Sequence, residues 1–182
     1  DTTAYWVLVN RTTNETIAGT QWHQIPYECG VPLVADMSSD ILSRVLDFNK
    51  FDLIYAGAQK NMGAAGVNLV VINKNILGKT ERNIPTILDY RNHIKEVSML
   101  NTPPVFAVYV AMLTLRWLKQ QGGVAALEKL NDAKAALLYD TLDTLPIFKG
   151  PVRKKDRSKM NAVFVMDNAA LEKEFLELCK TE

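Results

Sequence analysis

Apolar residues come in short, nearly unbroken runs in the first half of the chain and at helical spacing in the second. The runs predict strands over Ala4–Val9, Pro32–Ala35, Leu53–Ala56 and Val67–Ile72. Apolar character without polar alternation suits strands covered on both faces, as in α/β sheets. A polar stretch, Asn10–Gln21, follows the first strand, and Ser38–Ser43 has room for a helical turn. After the mixed segment Asn73–Met99, Phe106, Tyr109, Val110, Leu113, Trp117 and Leu118 recur at the spacing of an amphipathic helix. Asn101 or Thr102 is expected to cap it, with Pro103 and Pro104 in its first turn and Gly122-Gly123 ending it. A second helix is predicted from Val124 to about Leu145, closed by Pro146, with Leu127, Leu130, Leu137, Leu138 and Leu142 on its apolar side. Val163–Met166 reads as a strand and Ala169–Lys180 as a helix.

The pattern changes near Gly123. Residues 1–122 read as part of a large α/β unit, and residues 123–182 as an interdomain helix and the beginning of a smaller unit. The chain starts almost directly in a strand and stops inside a helical pattern, so both ends read as cut from a longer polypeptide. With 48% hydrophobic and 23% charged residues, it can fill a core. A net charge of +1 gives no field for nucleic acid. The basic run Arg153–Lys159 is expected to be a solvated loop. No apolar run is long enough to cross a membrane, and the first residues lack the features of a signal peptide. Cys29 and Cys179 lie far apart without motif spacing, so reduced thiols in a cytoplasmic protein are the expectation.

In open α/β sheets, ligands bind beyond the carboxyl ends of the strands. Thr16, Asp36 and Lys60 fall at such places. Lys60 follows a buried run, LIYAGAQKN, and is flanked by small residues. A lysine whose surroundings lower its pKa can attack a carbonyl carbon. A carboxylate beside a pyridine nitrogen keeps that nitrogen protonated, which makes the ring an electron sink. Asp36 is the candidate for that role, and Thr16 for a hydroxyl beside the phenolic oxygen of pyridoxal phosphate. Each residue also has a plainer reading: a surface lysine, an aspartate capping a turn before Ser38-Ser39, a turn threonine. Spacing alone leaves both open. Gly57, Gly63 and Gly66 match no nucleotide loop and read as room for close backbone approach around Lys60. His23 and His93 have no partner at ligand spacing, so no metal site is expected. Asn14–Thr16 meets the glycosylation pattern, without any sign of secretion.

The segments NETIAG, ADMSSDILSR, IYAGAQKNMGAAGVNLVVI, PTILDY, SMLNTPPVFAVYV, WLKQQGGVAALEKLN and RSKMNAVF, in this order, resemble the phosphoserine aminotransferase family. The resemblance runs from about Asn14 to about Leu178. It implies the α/β fold type I of pyridoxal-phosphate enzymes, class V, with a mostly parallel sheet and a smaller C-terminal domain. It implies Lys60 as the Schiff-base lysine, Asp36 on the ring nitrogen, Thr16 near the phenolic oxygen and Gln59 on the phosphate. Asn101 and Thr102 would reach the phosphate held by a neighbouring subunit, in an obligate homodimer. The implied reaction passes an amino group from glutamate to 3-phosphohydroxypyruvate in serine biosynthesis, and in some bacteria serves a vitamin B6 pathway. The family's ring-stacking aromatic, its Gly-Arg phosphate pair and its carboxylate-binding arginine match nothing in this chain, so the isolated 182 residues are expected to be inactive or nearly so. Two other readings are another fold-type I enzyme, such as a small-substrate aminotransferase or cysteine desulfurase, and a non-catalytic dimerisation piece. The NTPP segment and the lack of a catalytic cysteine loop weigh against the former.

Overall fold

The computed structural model describes residues 9–25 and 30–181. Cys29 and all but the last residue of the expected first strand lie outside them. The central sheet has four strands: β1 (Val9–Thr12), β4 (Leu33–Asp36), β5 (Leu53–Gly57) and β6 (Asn68–Ile72), in that spatial order. The first three run parallel, and β6 returns antiparallel to β5. A small antiparallel ladder, β2 (Asn14–Glu15) with β3 (Thr20–Gln21), folds off the end of β1. The helices are α1 (Tyr90–Lys95), α2 (Val105–Gln120), α3 (Val124–Thr144) and α4 (Ala169–Thr181).

One face of the sheet carries the core. Leu33 and Ala35 of β4 and Ile54 and Ala56 of β5 alternate onto it. Met37, Ile41, Phe51, Ala58 and Met62 close over them from the following turns. Burying a side chain such as Ile54 or Ile41 contributes about 1.5–3 kcal/mol. The other face is only half covered within the described residues. Asp36, Tyr55 and Val70, paired across β4, β5 and β6, lie on it. The expectation of strands covered on both faces therefore holds for one face only.

Several predicted elements take a different form. The helical turn expected within Ser38–Ser43 is one turn only, with Ile41 N donating to the Met37 carbonyl at 2.8 Å and no regular helix continuing from it. α2 begins at Val105, and neither Asn101 nor Thr102 caps it. A residue before proline is pushed out of the helical region, so Pro103 and Pro104 hold Thr102 and Pro103 extended and delay the helix. Asn101 Nδ2 instead donates to the Thr102 carbonyl at 3.2 Å. The helix does stop before Gly122 and Gly123, both of positive φ. On α2 the buried residues are Ala107, Ala111 and Leu118, while Phe106 is 75% exposed and Trp117 50%. Val163–Met166 is not a strand and makes a single bridge, Val165 to Lys149. Phe164 is held instead by edge-on contacts with Phe148 and with Phe175 of α4.

The basic run is not a purely solvated loop. Arg157 is 10% exposed and donates two bonds to Asp143 of α3, at 3.0 and 2.8 Å, with its guanidinium 4.7 Å from the Tyr139 ring centroid. Lys154 also pairs with Asp143, at 2.8 Å. These bonds, Arg157's first, hold the Asp143 carboxyl well below the usual carboxylate range.

Candidate functional site

The carboxyl ends of β4 and β5 lie side by side, because the two strands are parallel neighbours in register. The turn after β5 presents Lys60. Ala58 and Met62 are buried and anchor it, and the Ala58 carbonyl accepts from Met62 N at 3.0 Å and Gly63 N at 2.8 Å. Gln59 and Lys60 between these anchors are exposed, and Asn61 is half-buried. Asn61 Nδ2 donates to the Ile41 carbonyl and ties this turn to the one after β4.

Lys60 Nζ donates to Thr16 Oγ1 at 2.8 Å. Thr16 sits just past β2, in the turn of the small hairpin, and comes to the lysine from 44 residues away. Its oxygen accepts from the amine, which leaves its own O–H to donate elsewhere. Asp36 ends β4 and is half-buried. Its Oδ1 accepts from Ser38 N at 2.8 Å, the Asx turn that lets the chain reverse after the strand. Among the described residues Oδ2 has no hydrogen-bond partner. The turn-capping and site readings of Asp36 are thus compatible, one oxygen for each.

Gln59 folds back over β5. A Cβ on Gly57 would come within 2.5 Å of Gln59 Oε1, so glycine at 57 leaves the space that this amide occupies. Gly63 and Gly66 do a different job from the one expected. A Cβ at 63 would stand 3.0 Å from Ala111 N, and one at 66 would stand 3.5 Å from Ala107 Cβ. What approaches these two glycines is α2, not Lys60. A hollow of ≈ 330 Å³ opens on the half-covered sheet face, lined in part by Ser38, Tyr55, Gly57, Gln59 and Asn68.

Thr16 and Lys60 are thus joined directly, with Asp36 at the end of the neighbouring strand and Gln59 beside the lysine. Asn101 and Thr102 are exposed, and among the described residues no hydrogen bond links them to this group. Sequence reasoning did not find Ser38, whose Oγ accepts from Gly57 N at 3.1 Å and joins the ends of β4 and β5. It also missed Asn14, whose side-chain amide bonds Ser39 and Asn161. The doubled serine after Asp36 was the available signal, since short polar side chains after a strand bond backbone groups.

These residues fit pyridoxal phosphate by their chemistry. They offer an exposed amine, a half-buried carboxylate with one oxygen unpartnered, a hydroxyl on the amine, and an amide seated where a Cβ is missing.

The class-V aminotransferase family profile matches residues 4–179. A phosphoserine aminotransferase of Flavobacterium psychrophilum is 60% identical over 157 residues, which are 86% of this chain and 44% of that protein. A solved phosphoserine aminotransferase superposes with a TM-score of 0.90 at 44% identity, covering 96% of this chain and 48% of the other. A phosphoserine aminotransferase of Trichomonas vaginalis, solved with pyridoxal phosphate bound, gives 0.87 at 36% identity, covering 94% of this chain and 49% of the other. The chain therefore spans about half the length of the relatives it matches.

Proposed function

The chain belongs to the class-V aminotransferases, and from that premise we propose that it is the cofactor-anchoring part of a phosphoserine aminotransferase. The observation that carries this reading is the 2.8 Å bond from Lys60 Nζ to Thr16, beside Asp36 at the end of the adjoining strand. When bound, pyridoxal phosphate supplies an electron sink for the carbon that loses or gains the amino group.

The chain's own residues do the rest. Lys60 Nζ would hold the cofactor covalently and, once free, would take and return the proton on the reacting carbon. Thr16, whose oxygen accepts from that amine, would donate its own O–H to the phenolic oxygen. Asp36 keeps a proton on the ring nitrogen through its charge. Gln59 offers its amide to the phosphate, with Gly57 leaving room for it. Asn101 and Thr102 sit on an exposed loop ahead of α2 and serve the phosphate of a second subunit in a homodimer.

The substrates are glutamate and 3-phosphohydroxypyruvate, the products 2-oxoglutarate and phosphoserine, in the cytoplasm. The chain divides near residue 122, with the large unit before it and the start of a smaller unit after it. The test is transamination by the full-length protein. Turnover of glutamate with 3-phosphohydroxypyruvate is expected, and exclusive use of a non-phosphorylated oxo acid would contradict the substrate assignment.

A further inference from the structure

Asn14 is 1% exposed, and every donor of its side-chain amide is used. Nδ2 donates to Ser39 Oγ at 2.9 Å and to Asn161 Oδ1 at 2.7 Å. Oδ1 accepts from Ser158 Oγ. The Asn14 carbonyl accepts from Ser39 Oγ at 2.6 Å. Three segments far apart in sequence therefore meet on one side chain: β2 with its turn, the turn after β4, and Ser158–Asn161.

Each segment leads to the site or braces it. Two residues past Asn14 is Thr16, which holds Lys60. Three residues before Ser39 is Asp36, and Ser38 between them bonds both Asp36 and Gly57. The Ser158 side docks on the hairpin independently, with Ser158 N donating to the Gly19 carbonyl at 2.8 Å and Lys159 N to Gln21 Oε1 at 3.1 Å. Gly19 permits this approach, since a Cβ there would stand 2.6 Å from Val163 Cγ2. A buried amide is costly unless its bonds are made, and those bonds fix direction as well as distance. An apolar side chain of the same size would fill the space without setting the angle between the segments.

We propose that Asn14 is a positioning residue for the cofactor-holding set. It fixes Thr16 and the Asp36 turn in one register and makes Ser158–Asn161 part of that register. It acts through Thr16 and Ser39 and touches no reacting atom. The proposal rests on the reading of Lys60, Thr16 and Asp36 given above.

The experiment uses the full-length protein with Asn14→Ala and, separately, Asn161→Ala, which removes one bond at a half-buried position and decides the question if Asn14→Ala does not fold. Three quantities are measured: the dissociation constant of pyridoxal phosphate from the reconstituted apoprotein, the pH midpoint of the bound cofactor's absorbance change, and the apoprotein melting temperature. Loss of one buried hydrogen bond predicts about fivefold weaker retention for Asn161→Ala, and more for Asn14→Ala. The pH midpoint is expected to move by about half a unit or more in both, as the lysine and its neighbours leave register. A lowered melting temperature with wild-type retention and midpoint would overturn the proposal and leave Asn14 a merely structural residue. Borohydride labelling of the wild type separates the two levels. Failure to label Lys60 sinks the site reading and this proposal with it. Labelled wild type with unmoved variants sinks the proposal alone.

Discussion

Lys60 is made available by its neighbours. Ala58 and Met62 are buried to either side and hold the turn, so the lysine is presented without having to be buried itself. Gly57 and Gln59 form a matched pair, and Gly57→Ala separates their roles. The added methyl meets the flexible end of Gln59, which can swing away, so melting temperature is expected to change little. Cofactor retention is expected to weaken by about tenfold or more, the worth of one hydrogen bond to a charged group. A titration of the apoprotein with pyridoxal phosphate measures this. Asp36→Asn tests the carboxylate in a comparable way. Asparagine preserves the Asx turn to Ser38 N but removes the charge. The fold should persist, while amino transfer falls by roughly 10²–10⁴, the size of a lost proton-holding group.

At the scale of elements, the turn after β4 is held by a buried ion pair. Asp40 Oδ2 accepts from Arg44 at 3.2 Å, and Oδ1 accepts from Thr13 Oγ1 at 2.5 Å, all three residues being buried. Arg44→Ala leaves Asp40 without its charged partner, which costs about 3–5 kcal/mol in comparable cases. A clear drop in melting temperature is expected, and an unchanged one would show that water takes the arginine's place. The link between α3 and the 154–157 turn responds to acid. Asp143 is depressed by Arg157 first and Lys154 second, so its contribution to stability is present above the unfolded carboxylate value of 3.8 and is lost only as pH falls below it. Melting profiles from pH 7 to 3 should therefore show this contribution intact down to about 4, and Asp143→Asn should remove it. The elements legible in the sequence were those that make their own signal. β4 and β5 are unbroken apolar runs, and α2 and α3 are separated by Gly122-Gly123. β2 and β3 were not legible, because two-residue strands carry no periodicity and are held by tertiary bonds such as those of Asn14. The helix start at Val105 was misplaced because two adjacent prolines override a good capping residue.

Many large apolar side chains are exposed among the described residues. Phe106, Tyr109 and Trp117 of α2 and Leu137 of α3 are at least half exposed. The chain spans about half the length of its relatives, 44% in the Flavobacterium protein. The candidate site follows the same division. Lys60 and Asp36 were legible as candidates, because a buried run ending in lysine and a strand ending in Asp36 are local patterns, and the fold places them at the ends of neighbouring strands. The bond between Asn14 and Asn161 was not, because the two are 147 residues apart and meet only in the fold. The 182 residues alone are expected to show no transamination above background, while the full-length protein turns over. Robust activity of the isolated chain would contradict that division. The most direct test of the central claim is borohydride reduction of the full-length protein with pyridoxal phosphate bound, followed by mapping of the modified peptide. The label is expected on Lys60, and is expected to be lost in Lys60→Ala with the fold retained. Label on any other lysine would contradict it.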